Sequence, residues 1–536
     1  MGWLWPRAAY LDPFTWGRQA LEVISERSAK AMAMAGTGSA SAESRKQAEA
    51  PSELSRARRL LVLGICSMSL LIVGLDMMIV NVALPSIHRE LRASVSGLQW
   101  TIDAYTLVIA SLLMLAGSTA DRVGRRRTFR ARLAVFSLGS LLCGLAPSLG
   151  LLIAARVLQA IGGSMLNPVA MSIIRNVFTD PRERAQAIGV WGAVIGLSMA
   201  LGPVLGGALV DAFSWRAVFF VNVPIGVAAI VFTALYVPES RAERPRRFDP
   251  VGQLLVIVGL GALTFAIIEG PRSGWASAQT LGVFVLAVAC LGALVRYELR
   301  RYEPLLEMRF FRSAPFSGAS AIAVLTFAGT GGFLFMNTLY LQDVRGLSPL
   351  DAGLCMLPMA AMILFCSPVS GWLVGSRGAR LPMLIAATAM LAGALMLTGV
   401  TPATPRSYLL GSYFLFGIGD GMMTAPITSA AVTAMPAAQA GVASAVASTS
   451  RQGGMTLGVA VIGAVAGGSL AGGIGKGFAS ATHPGWWIIA GLAAVTLALV
   501  LTSTGRWADA TARRTAARLG QGPCLATRRL VTKQNR

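Results

Sequence analysis

Few charged side chains lie inside the long apolar stretches of this sequence, and those few are the first places to look for chemistry. An ionisable group costs roughly 2.5–3.5 kcal/mol at the centre of a membrane helix on insertion scales, so its presence there suggests a function. A carboxylate in an apolar cavity is suited to bind and release a proton within the working pH range. The charges concerned are Asp76, Asp103, Arg156, Asp420 and Arg451.

Asp76 and Asp103 are the leading candidates for proton carriers. Each has an alternative role: Asp76 as a structural hydrogen-bond partner in the first helix, and Asp103 as a residue of a wetted vestibule near the outer face. Arg156 stays protonated at any ordinary pH, so it cannot shuttle protons but can gate the protonation of a neighbouring carboxylate. The alternative for Arg156 is that it extends toward the membrane interface without a partner.

Asp420 has two possible roles: it contacts a cationic substrate, or it pairs with Arg451 as a bridge between helices. The two histidines, His88 and His483, fall in predicted outer loops, which argues against a histidine relay or a metal site in the membrane. The sequence also contains no nucleotide-binding loop and no Ser/His pairing. It therefore predicts no enzyme activity, no catalytic residue and no cofactor.

The elements that carry these charges are predicted to be membrane helices. Hydrophobic residues make up 54% of the 536 residues, and apolar runs of about 20 residues recur throughout, which indicates an all-α membrane protein. The runs predict fourteen helices. Their ranges are 60–84, 98–118, 129–147, 151–174, 185–210, 215–237, 251–270, 281–297, 315–340, 351–374, 381–400, 407–434, 441–471 and 484–504.

Basic residues give the chain a net charge of +22, but most of them lie in alternate short connections between apolar segments. That distribution argues against a nucleic-acid partner and follows the positive-inside rule. It predicts a multi-pass protein with both termini in the cytoplasm, and the Ala-rich composition with more Arg than Lys indicates a bacterial inner membrane. The N-terminal extension, residues 1–58, is predicted to be disordered, and the basic tail after 505 to be unstructured or bound to the membrane surface.

A dense charged turn at residues 117–127 separates the second and third predicted helices. An acid at the C-terminal end of a helix is disfavoured by the helix dipole unless a basic group pairs it, so the turn is suited to act as a latch. A positive-inside loop with an incidental Asp is the alternative. The residues of this gating motif are Gly117, Asp121, Arg122, Gly124, Arg125 and Arg126. The turn resembles the cytoplasmic signature of the major facilitator superfamily.

Residues 370–380 repeat this turn in degraded form after the tenth helix, with Gly375 in place of the acid and Ser376 in place of the first arginine. The repeat predicts two six-helix bundles with two helices inserted between them. The resulting domains are residues 1–58, 59–237, 238–312, 313–504 and 505–536. This layout resembles the fourteen-span drug:proton antiporter family.

The fifth helix contains glycines and a proline at spacings that let helices pack closely and kink. They resemble the antiporter motif of the superfamily, although ordinary small-residue packing would explain any one of them. The residues are Gly192, Gly196, Gly202, Pro203, Gly206 and Gly207. Family motifs are also matched at 75–85, which includes Asn81, at 156–163, which includes Gln159, and at 238–240.

The resemblance implies a transporter that functions as a monomer. It implies export of hydrophobic or cationic amphipathic molecules, such as antibiotics, by alternating access, with the proton gradient as energy source. It also gives Asn81 and Gln159 as possible substrate or interhelix contacts. A facilitator or a proton symporter for uptake on the same fold is the alternative. A methionine-rich cavity wall is expected at Met356, Met359, Met362, Met422 and Met423, with Phe416, unless these residues face lipid.

Overall fold

A computed structural model describes residues 55–113, 119–120, 122–241, 249–301, 307–433, 435, 440–468 and 478–520. Within these residues the secondary structure is helical. The first eight helices are α1 (Arg56–Leu91), α2 (Val95–Leu112), α3 (Arg125–Leu145), α4 (Leu149–Val177), α5 (Pro181–Ala212), α6 (Ala217–Phe220 continued by Asn222–Tyr236), α7 (Pro250–Ser273) and α8 (Ala278–Glu298).

The second part begins with a short 3₁₀ turn, Met308–Arg312. The helices that follow are α9 (Ala314–Leu339, extended by a π turn at Tyr340–Val344), α10 (Pro349–Cys355 continued by Leu357–Arg377), α11 (Arg380–Leu397), α12 (Arg406–Thr433), α13 (Ala440–Gly468), α14 (Phe478–Ser503) and α15 (Arg506–Gly520).

The predicted all-α membrane fold is confirmed. Among the described residues, eleven helices are long and apolar enough to cross a membrane. The three other predicted spans are occupied by α2, α12 and α13. Buried polar side chains on α2, among them Gln99, Thr101 and Asp103, lower the hydropathy of this span. The fourteen helices from α1 to α14 therefore follow the predicted order.

Two expectations differ from the structure, and a third differs in part. Of the two alternatives for the segment after 505, the unstructured one is wrong as far as Gly520: this part is helical and packs on the start of α9, where the Ala314 N–H donates to Thr511 Oγ1 at 2.9 Å. His88 and His483 lie inside α1 and α14 rather than in loops, because these helices extend further than their apolar runs. Each imidazole bonds a carbonyl oxygen, His88 that of Ala93 at 2.6 Å and His483 that of Val400 at 2.8 Å.

Two packed groups of helices correspond to the two repeats. In the first group, α4 packs on α2 and α3, and α3 on α6; in the second, α12 packs on α10 and α11, and α9 on α13 and α14. The loops that lead into α3 and α11 share a backbone feature. Gly124 has φ +110° and Gly378 has φ +80°, at corresponding positions of the two turns. A left-handed conformation of this kind favours glycine, which explains why both copies keep it.

The inserted helices α7 and α8 pack against each other, and α7 lies along both α2 and α13. At one end Trp100 Nε1 donates to Glu269 Oε1 at 3.0 Å, and at the other Gln253 Nε2 donates to the Ser111 carbonyl at 2.5 Å. The insertion is thus fastened to α2 near both ends, at the border between the two halves.

We call the end of the helix bundle at which α1 is connected to α2 the 1–2 face. The opposite end, at which the loop before α3 lies, is the 2–3 face. On the side of the 1–2 face, α2 contacts α13, where Gln99 Nε2 donates to the Ala460 carbonyl at 2.8 Å. The π turn of α9 contacts α1, where Gln342 Nε2 donates to the Val82 carbonyl at 2.8 Å. These bonds join the two halves.

Helix α5 packs tightly between α1 and α10 toward the same face. A Cβ at Gly202 would overlap Met78, and one at Gly206 would lie 3.2 Å from the carbonyl oxygen of Ile79, so both glycines face α1. Gly207 faces α10 instead, where a Cβ would lie 2.6 Å from Leu350 Cα. The Leu350 N–H also donates to Asp211 Oδ2 at 2.9 Å. Together these contacts close the 1–2 face.

We expect Gly207→Ala to open this face. The added Cβ would meet the backbone of α10, which cannot give way as a flexible side chain can, and overpacking costs typically about 1–3 kcal/mol. A cost of that size shifts a two-state equilibrium about 5- to 150-fold. A membrane-impermeant maleimide should then label the buried Cys355 faster from the 1–2 face, in protein whose other cysteines are replaced.

Gly192→Ala is the matched control on the same helix, because a Cβ at Gly192 would have no atom within 4 Å. Equal labelling rates in the two variants would contradict a seal between α5 and α10.

Candidate functional site

A buried ion pair links α1 and α4 in the first half. Arg156 Nη1 lies 2.5 Å from Asp76 Oδ2, and the side chains are 1% and 0% exposed. Removing two charges from water is costly, so such a pair persists only when further hydrogen bonds satisfy its remaining atoms. The structure therefore brings two of the three predicted proton-coupling residues into direct contact.

Amide and hydroxyl groups complete this pair into a network. Asp76 Oδ1 accepts from Gln159 Nε2 at 2.8 Å and from Asn222 Nδ2 at 3.0 Å. Both amides also donate to Ser140 Oγ, at 3.1 and 3.2 Å. Each carboxylate oxygen of Asp76 thus has at least one donor. The network joins four helices, α1, α3, α4 and α6.

Close packing of α3 on α4 allows these short side chains to meet. A Cβ at Gly139 would lie 2.5 Å from Gln159 Cα, and one at Gly162 would overlap the backbone of Phe136. Helices that lack bulky groups at such points approach backbone to backbone. As a result Gln159 of α4 reaches Ser140 of α3 directly.

Arg156 also forms part of the wall of a small cavity between the two halves. Its guanidinium carbon lies 4.0 Å from the centre of the Tyr105 ring, a cation–π contact, and its Nε donates to the Thr101 carbonyl at 3.1 Å. The cavity is lined by Met77, Val80, Asn81, Ile102, Tyr105, Thr106 and Arg156 from the first half and by Gly331, Leu334, Met455 and Val459 from the second.

The expected cavity residues agree only in part with this lining. Asn81 lies in the wall, although its amide donates to the Met77 carbonyl of its own helix at 2.8 Å. Met356, Met359, Met422, Met423 and Phe416 lie instead in the buried packing of the second half. The sequence pattern could not distinguish these two environments, because methionine suits both.

Asp103, the third predicted coupling residue, forms no hydrogen bond with the ion pair. It is fully buried in α2 rather than in a wetted vestibule. Thr106 Oγ1 lies 3.5 Å from its Oδ1, and its Oδ2 is buried without a hydrogen-bond partner among the described residues. Thr106 in turn accepts from Thr456 Oγ1 of α13 at 2.8 Å, which places Asp103 beside a contact between the halves.

Asp420 and Arg451 do not form the bridge that was one of the two expectations. Asp420 Oδ1 accepts from Thr330 Oγ1 of α9 at 2.6 Å. Arg451 donates to Thr428 Oγ1 at 3.1 Å and to Ser448 Oγ at 2.9 Å. The interhelix partner of Asp420 is therefore a hydroxyl group on α9. Sequence spacing on α12 and α13 could not show this, because the partner lies on a third helix.

An aromatic cluster that the sequence did not reveal lies between α9, α12 and α14. The Phe333 ring stacks on Phe416 at 4.4 Å between centroids and meets Tyr413 and Trp486 edge-on at 5.6 and 5.9 Å. In the second repeat α9 and α12 correspond to α1 and α4. The second half thus has aromatic packing where the first half has a polar network.

The charged turn is described only in part: Gly117 and Asp121 lie outside the described residues, as do the other residues of 114–118. The end of the turn, where α3 begins, contacts the segment that follows α6. The Arg125 N–H donates to the Ser240 carbonyl at 2.9 Å, and the Arg126 N–H donates to Glu239 Oε1 at 3.1 Å. Arg122 lies on the exposed surface.

Glu239 is the functional candidate that sequence reasoning missed at this loop. Its carboxylate caps the first turn of α3, where the helix dipole favours a negative charge, and its Oε2 lies 3.7 Å from Arg127 Nε. A Cβ at Gly124 would lie 2.6 Å from Glu239 Oε1, so a larger residue here would push this carboxylate away from the first turn of α3. The family motif matched at 238–240 was the signal that could have indicated Glu239. Nothing in the sequence showed that this motif contacts the loop before α3.

A sequence model of the family described as Major Facilitator Superfamily matches residues 66–459, which include the ion pair, the loop and the seal. The chain belongs to the major facilitator superfamily. It is therefore a multi-pass membrane transporter rather than an enzyme.

Curated relatives of this transporter include bacterial resistance proteins. It is 40% identical over 407 residues to "Multidrug resistance protein Stp" of Mycobacterium tuberculosis, which covers 76% of each chain. It is 36% identical to "Tetracenomycin C resistance and export protein" of Streptomyces glaucescens, over 78% of this chain and 77% of the relative. It is also 36% identical to "Methylenomycin A resistance protein" of Streptomyces coelicolor, over 73% and 82% of the two chains.

Solved structures show the same fold at low identity. A bacterial homologue of the human lysosomal transporter Spinster, crystallised in an inward-facing and unoccupied conformation, gives a TM-score of 0.58 at 19% identity over 87% of this chain and 99% of that one. A peptide transporter of the POT type gives a TM-score of 0.61 at 16% identity over 85% and 95% of the two chains. At these identities the likeness concerns the fold.

Removing one partner of the buried ion pair should destabilise the transporter more than neutralising both. A lone buried charge costs about 3–5 kcal/mol, whereas exchanging both partners for neutral groups avoids that cost. We expect Asp76→Asn and Arg156→Gln each to lower the thermal midpoint in detergent, and the double variant to recover part of the loss. Arg451→Gln combined with Asp76→Asn is the control, because Arg451 bonds Thr428 and Ser448 and shares no partner with Asp76, so the effects should add. Additive losses for Asp76→Asn and Arg156→Gln would contradict the pairing.

Glu239→Ala should slow transport while leaving the protein folded, because it removes the carboxylate that ties the start of α3 to the end of α6. The expected cost is about 0.3–2 kcal/mol, the range for a charge at a helix terminus. Efflux rate per molecule of inserted protein is the measurement. Arg127→Gln is the control, since that side chain is 67% exposed and should matter little. If Glu239→Ala transports at the wild-type rate, this contact has no part in gating.

Proposed function

We propose that this transporter exports hydrophobic or cationic amphipathic small molecules, antibiotics among them, across the bacterial cell membrane in exchange for protons. The names of the resistance and export proteins to which it is similar support drug export. The basic residues that surround the 2–3 face support a cytoplasmic location of that face and of both termini.

The observation that carries the proposal is the Asp76–Arg156 pair in contact with the central cavity, below a closed 1–2 face. With the 2–3 face in the cytoplasm, the closed face is the outer one. A substrate would then enter the cavity from the cytoplasm, as an exporter requires.

The geometry offers a physical reason for exchange. While Asp76 is ionised, its charge balances that of Arg156, and a cation can occupy the cavity without strong repulsion. When Asp76 binds a proton, Arg156 keeps an uncompensated positive charge in the cavity wall, which disfavours a cation. Proton and cation therefore compete, and the competition is reciprocal.

Movement between the two access states would involve α5. Its glycines form close contacts with α1 and α10, which have to separate for the outer face to open. Pro203 lies inside this helix and removes one backbone hydrogen bond, which permits bending there. Asp103, beside the contact of α2 with α13, is the second candidate carrier. The proposal needs a single copy of the chain and no cofactor beyond the proton gradient.

Drug-dependent proton flux in reconstituted vesicles tests the function. A pH gradient is set so that protons flow inward. We expect it to drive the drug outward, against the drug's own concentration gradient, for several compounds of a panel. Drug and proton moving in the same direction would indicate a symporter for uptake, and drug movement unaffected by the pH gradient would indicate a facilitator. Either result would overturn the proposal.

Asp76→Asn provides a sharper test of the coupling, because the amide imitates a carboxyl group that cannot release its proton. We expect pH-driven export to be lost and the affinity for tetraphenylphosphonium to fall at least about tenfold, since Arg156 is left uncompensated. Binding of an uncharged antibiotic should change little. Asp351→Asn, an exposed acid at the start of α10, is the control. Uphill export by the Asp76→Asn variant would exclude Asp76 as an essential carrier.

A further inference from the structure

The second half contains a buried carboxylate that the ion-pair mechanism does not use. Asp420 lies in the middle of α12 and is 4% exposed. Its Oδ1 accepts from Thr330 Oγ1 at 2.6 Å. Its Oδ2 is buried and has no hydrogen-bond partner among the described residues. A carboxylate in hydrocarbon without a counter-ion is costly, so this arrangement suggests that the group binds a proton during the cycle.

Thr330 is suited to serve both protonation states of Asp420. Its hydroxyl lies 2.6 Å from Asp420 Oδ1 and 3.2 Å from the Thr326 carbonyl oxygen. A hydroxyl group has one proton to donate and can also accept. It can donate to the ionised carboxylate, or accept from the protonated carboxyl group while donating to the Thr326 carbonyl. A proton can thus be taken up without moving either helix.

Asp76 differs in this respect. Its partners are the guanidinium of Arg156 and the amide NH₂ groups of Gln159 and Asn222, all of which only donate at these contacts. None of these groups offers Asp76 an acceptor for a bound proton, whereas Thr330 can accept one from Asp420. The two carboxylates are built for different steps.

The helices that pack on α12 are α9, α10, α11 and α13, and among the described residues the one side-chain partner of Asp420 is the Thr330 hydroxyl. Helix α9 has no charged residue between 314 and 339. The Arg451 guanidinium of α13 binds Thr428, eight residues along α12, or about 12 Å at 1.5 Å per residue. Of the other ionisable groups on these helices, Cys366 faces Gly421, Tyr413 bonds Asn337 and Tyr340 bonds the Thr401 carbonyl. The rest lie at or near helix ends: Asp343, Asp351, Cys355, Arg377, Arg380, Arg406 and Tyr408.

Asp420 lies near the cavity, on the side of the aromatic rings that is directed toward the 2–3 face. Thr330 directly precedes Gly331, which lines the cavity. The stacked rings of Phe333 and Phe416 lie about one helical turn from Thr330 and Asp420 in the direction of the 1–2 face. They separate the carboxylate from the closed outer side.

We infer that Asp420 and Thr330 form a second proton-binding site, which lies in the C-terminal half and exchanges its proton with the cytoplasm in this conformation. The inference depends on the proposed proton coupling and extends it from one half of the transporter to both.

Proton release on binding of tetraphenylphosphonium, measured with the full chain in weakly buffered detergent, tests this site. In Asp420→Asn the release should fall by about one proton per bound cation relative to wild type, because proton and cation binding are reciprocally linked. The affinity of Asp420→Asn for the cation should match that of the wild type within about twofold at a pH low enough that the wild type keeps this proton, because the amide imitates the protonated carboxyl group. Asp420→Glu should keep the release.

Thr330 supplies a second pair of variants that does not depend on the folding of Asp420→Asn. Thr330→Ser keeps the hydroxyl group and should release protons as the wild type does. Thr330→Val is close in shape but lacks the hydroxyl, and it should shift the pH dependence of release. Identical pH profiles for Ser and Val would overturn the role of Thr330.

The outcomes separate this inference from the proposed function. If the wild type releases protons and Asp420→Asn releases the same number, the second site is wrong while antiport stands. If Asp420→Asn binds the cation much more weakly but releases the same number of protons, Asp420 is a substrate contact and the inference is overturned. If the wild type releases none, proton antiport itself fails, and the second site fails with it.

Discussion

A positive charge buried in a membrane protein needs a negative charge and hydrogen-bond acceptors close to it. In the first half of this transporter, the packing of the helices around Arg156 meets that need. Its partner Asp76 comes from α1, and the amides that complete the network come from α4 and α6. These short side chains meet only because glycines bring α3 and α4 into backbone contact. Helix packing in this half is therefore set by the needs of one guanidinium group as much as by apolar surface.

The two repeats solve the same packing problem with different chemistry. Where the first half joins α1 to α4 by an ion pair, the second joins α9 to α12 by the stacked rings of Phe333 and Phe416. Aromatic packing needs no counter-ion, so the acid in the second half, Asp420, is left with a neutral hydroxyl partner. The asymmetry gives each half a carboxylate with a distinct relation to the proton, one tied to a cation and one independent of it.

Sequence reasoning predicted what depends on periodic apolar surface, and it failed where partners come from distant parts of the chain. The fourteen helices and the burial of Asp76, Asp103, Arg156 and Asp420 follow from hydropathy, because any span of that length must cross the bilayer with its charges inside. The contact of Glu239 with the start of α3 joins residues more than a hundred positions apart, and no local pattern encodes it. The helix Arg506–Gly520 was missed because its residues are mostly alanine and arginine, so the segment lacks the apolar run by which spans are recognised.

Helix α1 connects the site of chemistry to the seal. Asp76 is followed within three residues by Met78 and Ile79, which contact Gly202 and Gly206 of α5. Those glycines precede Gly207, which contacts α10 across the border between the halves. Any displacement of Asp76 that follows loss of its bond to Arg156 has to move the same turn of α1 that supports α5. A change in charge of one proton can therefore reach the outer seal through two adjacent, tightly packed helices, because contacts this close leave no free space in which the movement could be absorbed.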